Sequence, residues 1–237
     1  MEYSSDANAQ TEYVSNAGFI SQYPTQNGTY VKATSNVGNG EPYLATNPSK
    51  SLTGTWVGNT WLTNAAVTNQ RFHIDLGSAK IIKNIYYENW HSAGGDLYTG
   101  VKNFTFWGSN TAGDFADLTY ANNGSWVQLT TSQSTFDEHS ASDAADPKYI
   151  TVTNATAYRY YAFKFANNWG RTDYIGVRRI VLRESHLNTY SESTIKTQGS
   201  YALKVVAAQT DSLNKTLTKT FVVNQDLTGV NTLKLDM

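Results

Sequence analysis

The 237-residue chain contains no cysteine, which excludes disulfide staples, thiol nucleophiles and cysteine-ligated zinc together. Charge is scarce as well: 16% of residues are Asp, Glu, Lys or Arg, and the formal net charge is −1. Capture of nucleic acid or of an anionic membrane surface by a global field therefore has no source. No apolar run approaches membrane-spanning length, so membrane insertion is not expected. Met1-Glu2-Tyr3-Ser4-Ser5-Asp6 lacks the basic start and apolar run of a secretion leader. Catalytic signatures are missing too. There is no His-Glu-x-x-His, no Gly-x-Ser-x-Gly and no phosphate-cradling glycine loop. Ser193-Thr194-Ile195-Lys196 matches Ser-x-x-Lys without its partner motifs, and the adjacent carboxylates Asp137-Glu138 sit on a polar loop. A non-catalytic protein is the expectation.

What remains is hydrogen-bonding and aromatic. Ser, Thr, Asn, Gly and Tyr are abundant, and aromatic residues make up 13% of the chain, enough apolar area to offset the entropy of ordering it. Helical periodicity is hard to find, whereas short alternating runs separated by Gly, Asn, Asp and Ser recur throughout. Phe72-His73-Ile74-Asp75-Leu76-Gly77 alternates and ends in a turn, as do Asn103 to Gly108 and Trp126 to Leu129. Tyr149 to Val152, Tyr158 to Phe165 and Val177 to Leu182 read as further strands. This pattern predicts an all-β antiparallel sandwich or barrel. Thr111 to Leu118 suits a helical turn, and Asp137 to Pro147 a polar surface excursion.

The two ends differ in texture, with Ser-Thr-Lys alternation and no Trp. Ser200 to Val206 and Leu217 to Val223 read as plain strands, and the last residues, Leu233-Lys234-Leu235-Asp236-Met237, again alternate. The expectation is a piece of a longer, multidomain parent chain. Residues 1–16 and 187–237 would contribute to a partial flanking sandwich around a central domain at 17–186. An incomplete sandwich exposes apolar edges, so a homo-oligomer is a further expectation.

The central stretch, from about Gly28 to Glu184, resembles the factor V/VIII C-type (discoidin-like) family, which includes the family 32 carbohydrate-binding modules. The resemblance is carried by Val31-Lys32-Ala33-Thr34-Ser35, Thr60-Trp61 and Arg71 to Ile82 with its Asp75-Leu76-Gly77. Asn103 to Ser109, Tyr158-Arg159-Tyr160-Tyr161 and Ile175 to Leu182 follow in order. The flanks, through Gly199 to Val205 and Asp226-Leu227-Thr228-Gly229, look like part of a concanavalin-like jelly roll. The resemblance implies a jelly-roll β-sandwich of galactose-binding type, with ligands (glycans, phospholipid head groups or protein partners) held by loops at one end. It also brings in calcium, held by an early loop and a late acidic residue. The matching positions are Asn47, where Asp is expected, and Glu184, with Arg179 close to where an acid often falls.

Candidate ligand residues follow from the chemistry of sugars, which need a flat aromatic face and planar donors and acceptors. Trp90-His91 precedes a Gly-containing loop, and Asn167-Asn168-Trp169-Gly170-Arg171 occupies another. Trp90, His91, Asn167, Asn168, Trp169 and Arg171 are the expected glycan contacts, unless either Trp merely plugs the sandwich. Trp107 and Trp126 alternate with strand residues and are expected in the core; Trp56 and Trp61 stay open between loop and site. His73 is expected to point outward to solvent, and His139 to sit in a solvated acidic loop. The functions to separate are a carbohydrate-binding or adhesion module of an extracellular, cell-surface or virion-surface protein, and a structural or protein-interaction domain of a phage tail or surface fibre with no glycan ligand. A glycan-processing enzyme is the third and most remote.

Overall fold

The computed structural model of the chain describes residues 18–186, 188–192 and 202–206. Its strands are β1 (Gly18–Gln22), β2 (Val31–Ala33), β3 (Trp61–Leu62), β4 (Gln70–Lys80), β5 (Ile82–Asn89), β6 (Phe104–Ser109), β7 (Val127–Thr131), β8 (Lys148–Thr153), β9 (Tyr158–Phe165) and β10 (Gly176–His186); the described residues also hold one short α-helix, α1 (Ala112–Ala116), and 3-10 turns at Pro42–Thr46 and Leu97–Thr99. Two further strands, β11 (Asn188–Glu192) and β12 (Ala202–Val206), pair antiparallel with each other. The N-terminal flank at 1–16 and the strand expected at Leu217 to Val223 lie outside the described residues.

The first ten strands form one curled antiparallel sheet in the order β1-β10-β5-β8-β7-β6-β9-β4-β2, with β3 beside β10. The β7–β8 junction is short, with Thr130 opposite Thr153 and Thr131 opposite Val152. There the sheet folds into the two layers of a jelly-roll sandwich, and a shared core fills the space between them. The alternation read in the sequence decides which side chains enter it. On β9, Tyr161, Phe163 and Phe165 are fully buried inside, packed with Phe72, Phe104 and Phe106 from the neighbouring strands. Ile85, Tyr87, Ile180 and Leu182 face them from the other layer. Each such side chain contributes about 2 kcal/mol through lost apolar contact with water. Trp61 belongs here as well, its ring 5.2 Å from Phe72 and its Nε1 donating to the Ser35 carbonyl.

The outer face of β4 corrects one expectation. His73 does point away from the main core, yet it is fully buried. Phe115 of α1 and Trp126 roof that face, packing with Tyr160, Ala162 and the half-buried Trp107. Arg71, two residues away on the same face, is also fully buried; it donates to the carbonyls of Thr119, Tyr120 and Asn122 and so ties the α1–β7 connection down. Strand parity tells which side a residue faces, and the roof over that side comes from residues about forty to fifty positions away.

Candidate functional site

At one end of the sandwich the chain leaves β5, enters β6, and crosses from β9 to β10. The intervening segments, 90–103 and 166–175, are drawn together by backbone pairing. Gly100 bridges Gly176 and Val101 bridges Asn168, while Trp169 and Arg171 donate their N–H groups to the Tyr98 carbonyl at 3.1 and 3.2 Å. The two candidate loops therefore do meet, as loops at one end of a jelly roll should. Phe136 anchors a third segment beneath them, stacked on Tyr87 at 4.0 Å.

Between these loops and the long β2–β3 connection lies a cleft of about 190 Å³. Its lining is aromatic at Trp56, Trp90 and Tyr174, aliphatic at Val37 and Leu62, and polar at Asp96, Thr99 and Arg171. Trp56 and Trp90 face each other with ring centroids 6.3 Å apart and planes tilted by 32°. Trp90 is almost wholly buried, and its indole N–H has no partner among the described residues; Trp56 is half-buried and open to the cleft. Arg171 Nη1 lies 3.2 Å from Asp96 Oδ1, and Nη2 is 3.5 Å from Asp173. Asp96 has left-handed backbone angles, φ 59° and ψ 39°, costly for a residue with a Cβ. Arg171 and the Thr99 hydroxyl, at 3.2 Å from its other carboxylate oxygen, hold it there.

The six expected ligand residues divide by placement. Trp90 and Arg171 line the cleft. Asn168 works one step behind: its amide donates to the Arg171 and Tyr174 carbonyls at 2.9 and 2.7 Å, shaping the loop that carries both side chains. Asn167 accepts from the Asn103 N–H at 3.1 Å and braces the start of β6. Trp169 turns away from the cleft lining, donating from Nε1 to the Val101 and Phe136 carbonyls, with Lys102 Nζ 4.6 Å above its ring. His91 is fully buried, its Nε2 2.8 Å from the Leu52 carbonyl and its Nδ1 accepting from the Gly94 N–H. These partners hold the neutral tautomer, and burial lowers its pKa below the usual histidine value. His139 is likewise buried, stacked on His91 at 4.1 Å, so the acidic loop is not solvated at that residue.

Six lining residues are not among the expected contacts: Val37, Leu62 and Thr99, and the aromatic and acidic Trp56, Tyr174 and Asp96. Asp96 ends the Ser92-Ala93-Gly94-Gly95 turn beside Trp90, and Tyr174 is three residues past Arg171. For Asp96 and Tyr174 proximity to the candidates is the available signal; Trp56 carries none, lying 34 residues before Trp90.

The calcium expectation meets a donor set that does not fit the ion. Asn47 uses its side-chain oxygen to accept from the Ser49 N–H at 2.9 Å. The Glu184 carboxylate accepts from the Ile81 N–H and lies 3.5 Å from Lys80. Calcium asks for six to eight oxygens, and among the described residues no three acidic or histidine side chains converge. Instead, the carbonyls after Asn47 face arginines. Arg178, fully buried, donates to those of Ser51, Thr53, Gly54 and His91, and Arg179 donates to Lys50 at 2.6 Å. Burial lowers the Arg178 pKa to about 10, still charged at neutral pH. Guanidinium forks thus neutralise carbonyl oxygens that an oxygen-binding cation would otherwise gather.

No protein-family model matches the chain, and no curated protein matches it in sequence. Solved structures that it resembles include the family 32 carbohydrate-binding module of NanJ from C. perfringens in complex with galactose, at 13% identity and a TM-score of 0.45 over 65% of this chain and 92% of that one. Another is chitosan-binding module 1 of a chitosanase/glucanase from Paenibacillus sp. IK-5, at 18% identity and a TM-score of 0.44, covering 69% of this chain and 98% of the module. The lectin domain of lectinolysin complexed with Lewis B antigen is similar at 13% identity and a TM-score of 0.44, over 69% of this chain and 95% of that domain.

Proposed function

We propose that the central sandwich is a non-catalytic carbohydrate-binding module of a larger extracellular, cell-surface or virion-surface protein, with the sugar seated in the cleft at Trp56. The observation that carries this reading is the combination of an aromatic-lined cleft with a fixed carboxylate–guanidinium pair at its edge. A pyranose presents an apolar C–H face and an equatorial rim of hydroxyls. The Trp56 and Tyr174 rings suit the first, and Asp96 with Arg171 offers acceptor and donor to adjacent hydroxyls. The volume of about 190 Å³ is below the roughly 300–1,000 Å³ of drug-sized pockets and suits a single ring. Glycoside hydrolysis ordinarily needs two carboxyl groups flanking the bond. Among the described lining residues Asp96 is the one carboxylate, and Arg171 already engages it.

One shallow site of this size should bind weakly, with Kd of about millimolar to tens of micromolar, and gain strength through repetition in the parent protein. The test is a glycan array followed by titration calorimetry on the full chain. Trp56→Ala should weaken binding by about tenfold or more, since ring stacking adds to the buried area, while the melting temperature stays near wild type. Undiminished binding in this variant would move the sugar elsewhere.

A protein-interaction role is the second reading, favoured by the outer face of the β1–β10–β5–β8 layer. Phe19 and Tyr149 are 38% and 54% exposed there, with the Arg183 guanidinium 5.1 and 5.5 Å from their rings. A chain that binds no glycan on the array would favour this role in a tail or surface fibre.

A further inference from the structure

We infer that the cleft discriminates by charge, accepting neutral and amino sugars and disfavouring acidic ones; this rests on the sugar-binding reading. Arg171 is the one cationic side chain among the described residues that line the cleft. Its guanidinium lies against two carboxylates, Asp96 at 3.2 Å and Asp173 at 3.5 Å. The local sum is one positive against two negative charges. An arginine with a free fork would welcome a uronate or sialate carboxylate bidentately; this one already has a carboxylate beside each terminal nitrogen, hydrogen-bonded at Nη1, and its Nε is buried.

The backbone under both partners is held in place. Arg171 is fixed through its backbone, the N–H donating to the Tyr98 carbonyl and its own carbonyl accepting from Asn168. Asp96 is fixed by its left-handed backbone and by the Thr99 hydroxyl. An incoming carboxylate must either displace Asp96 from Arg171 or remain beside a like charge. A hydroxyl meets no such conflict, because it donates to the carboxylate and accepts from the guanidinium. An ammonium group gains attraction from Asp96. The pair therefore acts as a charge filter as well as a hydrogen-bonding edge.

The three groups are partly exposed, with side-chain accessibilities of 39% for Arg171, 34% for Asp96 and 53% for Asp173. Solvent then keeps the discrimination modest, about fivefold, and sensitive to salt. The experiment titrates the full chain with a hexose, its uronate and its 2-amino derivative, in both the gluco and galacto series, at a pH where the amine is protonated. In whichever series binds, the uronate should be about fivefold weaker than the parent hexose, and the amino sugar equal or tighter. Asp96→Asn keeps a residue that tolerates the left-handed backbone and should narrow or reverse the gap. Asp173→Asn, outside the cleft lining, should shift it in the same direction to a smaller extent. A uronate that binds as well as the hexose, or a preference unchanged by either substitution and by high salt, overturns the charge filter alone. Binding of none of these sugars overturns the sugar-binding reading, and the filter with it.

Discussion

Lowering the pH tests the buried face of β4 directly. His73 is fully buried, with Nδ1 3.0 Å from the Phe115 carbonyl and Nε2 3.5 Å from Arg71 Nη1. The neutral ring fits: Nδ1–H donates to the carbonyl, and the Nε2 lone pair faces the guanidinium. A second proton on Nε2 would have to sit against that cation with no solvent to screen it. Desolvation, with Arg71 and Lys32 adding to it and Phe115 and Asp117 opposing, lowers the pKa from 6.5 to about 4. A depressed histidine binds protons in the unfolded chain before it does in the fold. Its contribution is therefore complete above pH 6.5 and is lost as pH falls towards 4. The loss reaches about 3 kcal/mol, from roughly 1.4 kcal/mol for each tenfold change in proton affinity. Urea unfolding across this range should show that slope in the wild type. His73→Gln, which keeps a donor for the Phe115 carbonyl and has nothing to titrate, should lose about 3 kcal/mol of the pH dependence. Equal slopes in the two proteins, or an NMR titration of His73 near the ordinary histidine value, would refute the argument.

Two substitutions probe the frame of the cleft. A Cβ at Gly176 would come 2.5 Å from Trp90 Cε3 and 2.7 Å from the Trp61 carbonyl. Gly176→Ala should therefore cost about 2–3 kcal/mol and perturb tryptophan fluorescence, and a neutral result in thermal melts would mean Trp90 is less tightly seated. Arg178→Lys keeps the charge and loses the fork that serves the four carbonyls of Ser51, Thr53, Gly54 and His91. A loss of about 3 kcal/mol is expected, with hydrogen exchange accelerated in segments 50–54 and 91–95; unaltered exchange there would show that the arginine does not hold these loops.

Local alternation was enough to identify β4 and β6 to β10, because a side chain's side of the sheet follows from a period of two along the backbone; β1 and the two-residue β3 carry too little of it. Phe72, Ile74, Phe163 and Ile180 went into the core as that period requires. The helical turn at α1 and the gathering of the 90s and 160s loops at one end were also legible, the latter through the resemblance to a known architecture. What lies over a strand's second face was not legible. His73 reads as an outward residue until Phe115 and Trp126 close over it. The same limit applies to the cleft. Asn167, Asn168 and Trp169 sit in the right loop, yet their polar groups are taken up by that loop's own backbone and its neighbours. Trp56, more than thirty residues upstream of Trp90, supplies the opposing ring. Composition and periodicity are properties of neighbours along the chain and determine the sandwich. The direction of a loop side chain depends on which distant carbonyls, rings and charges need it, and only the tertiary structure brings those together.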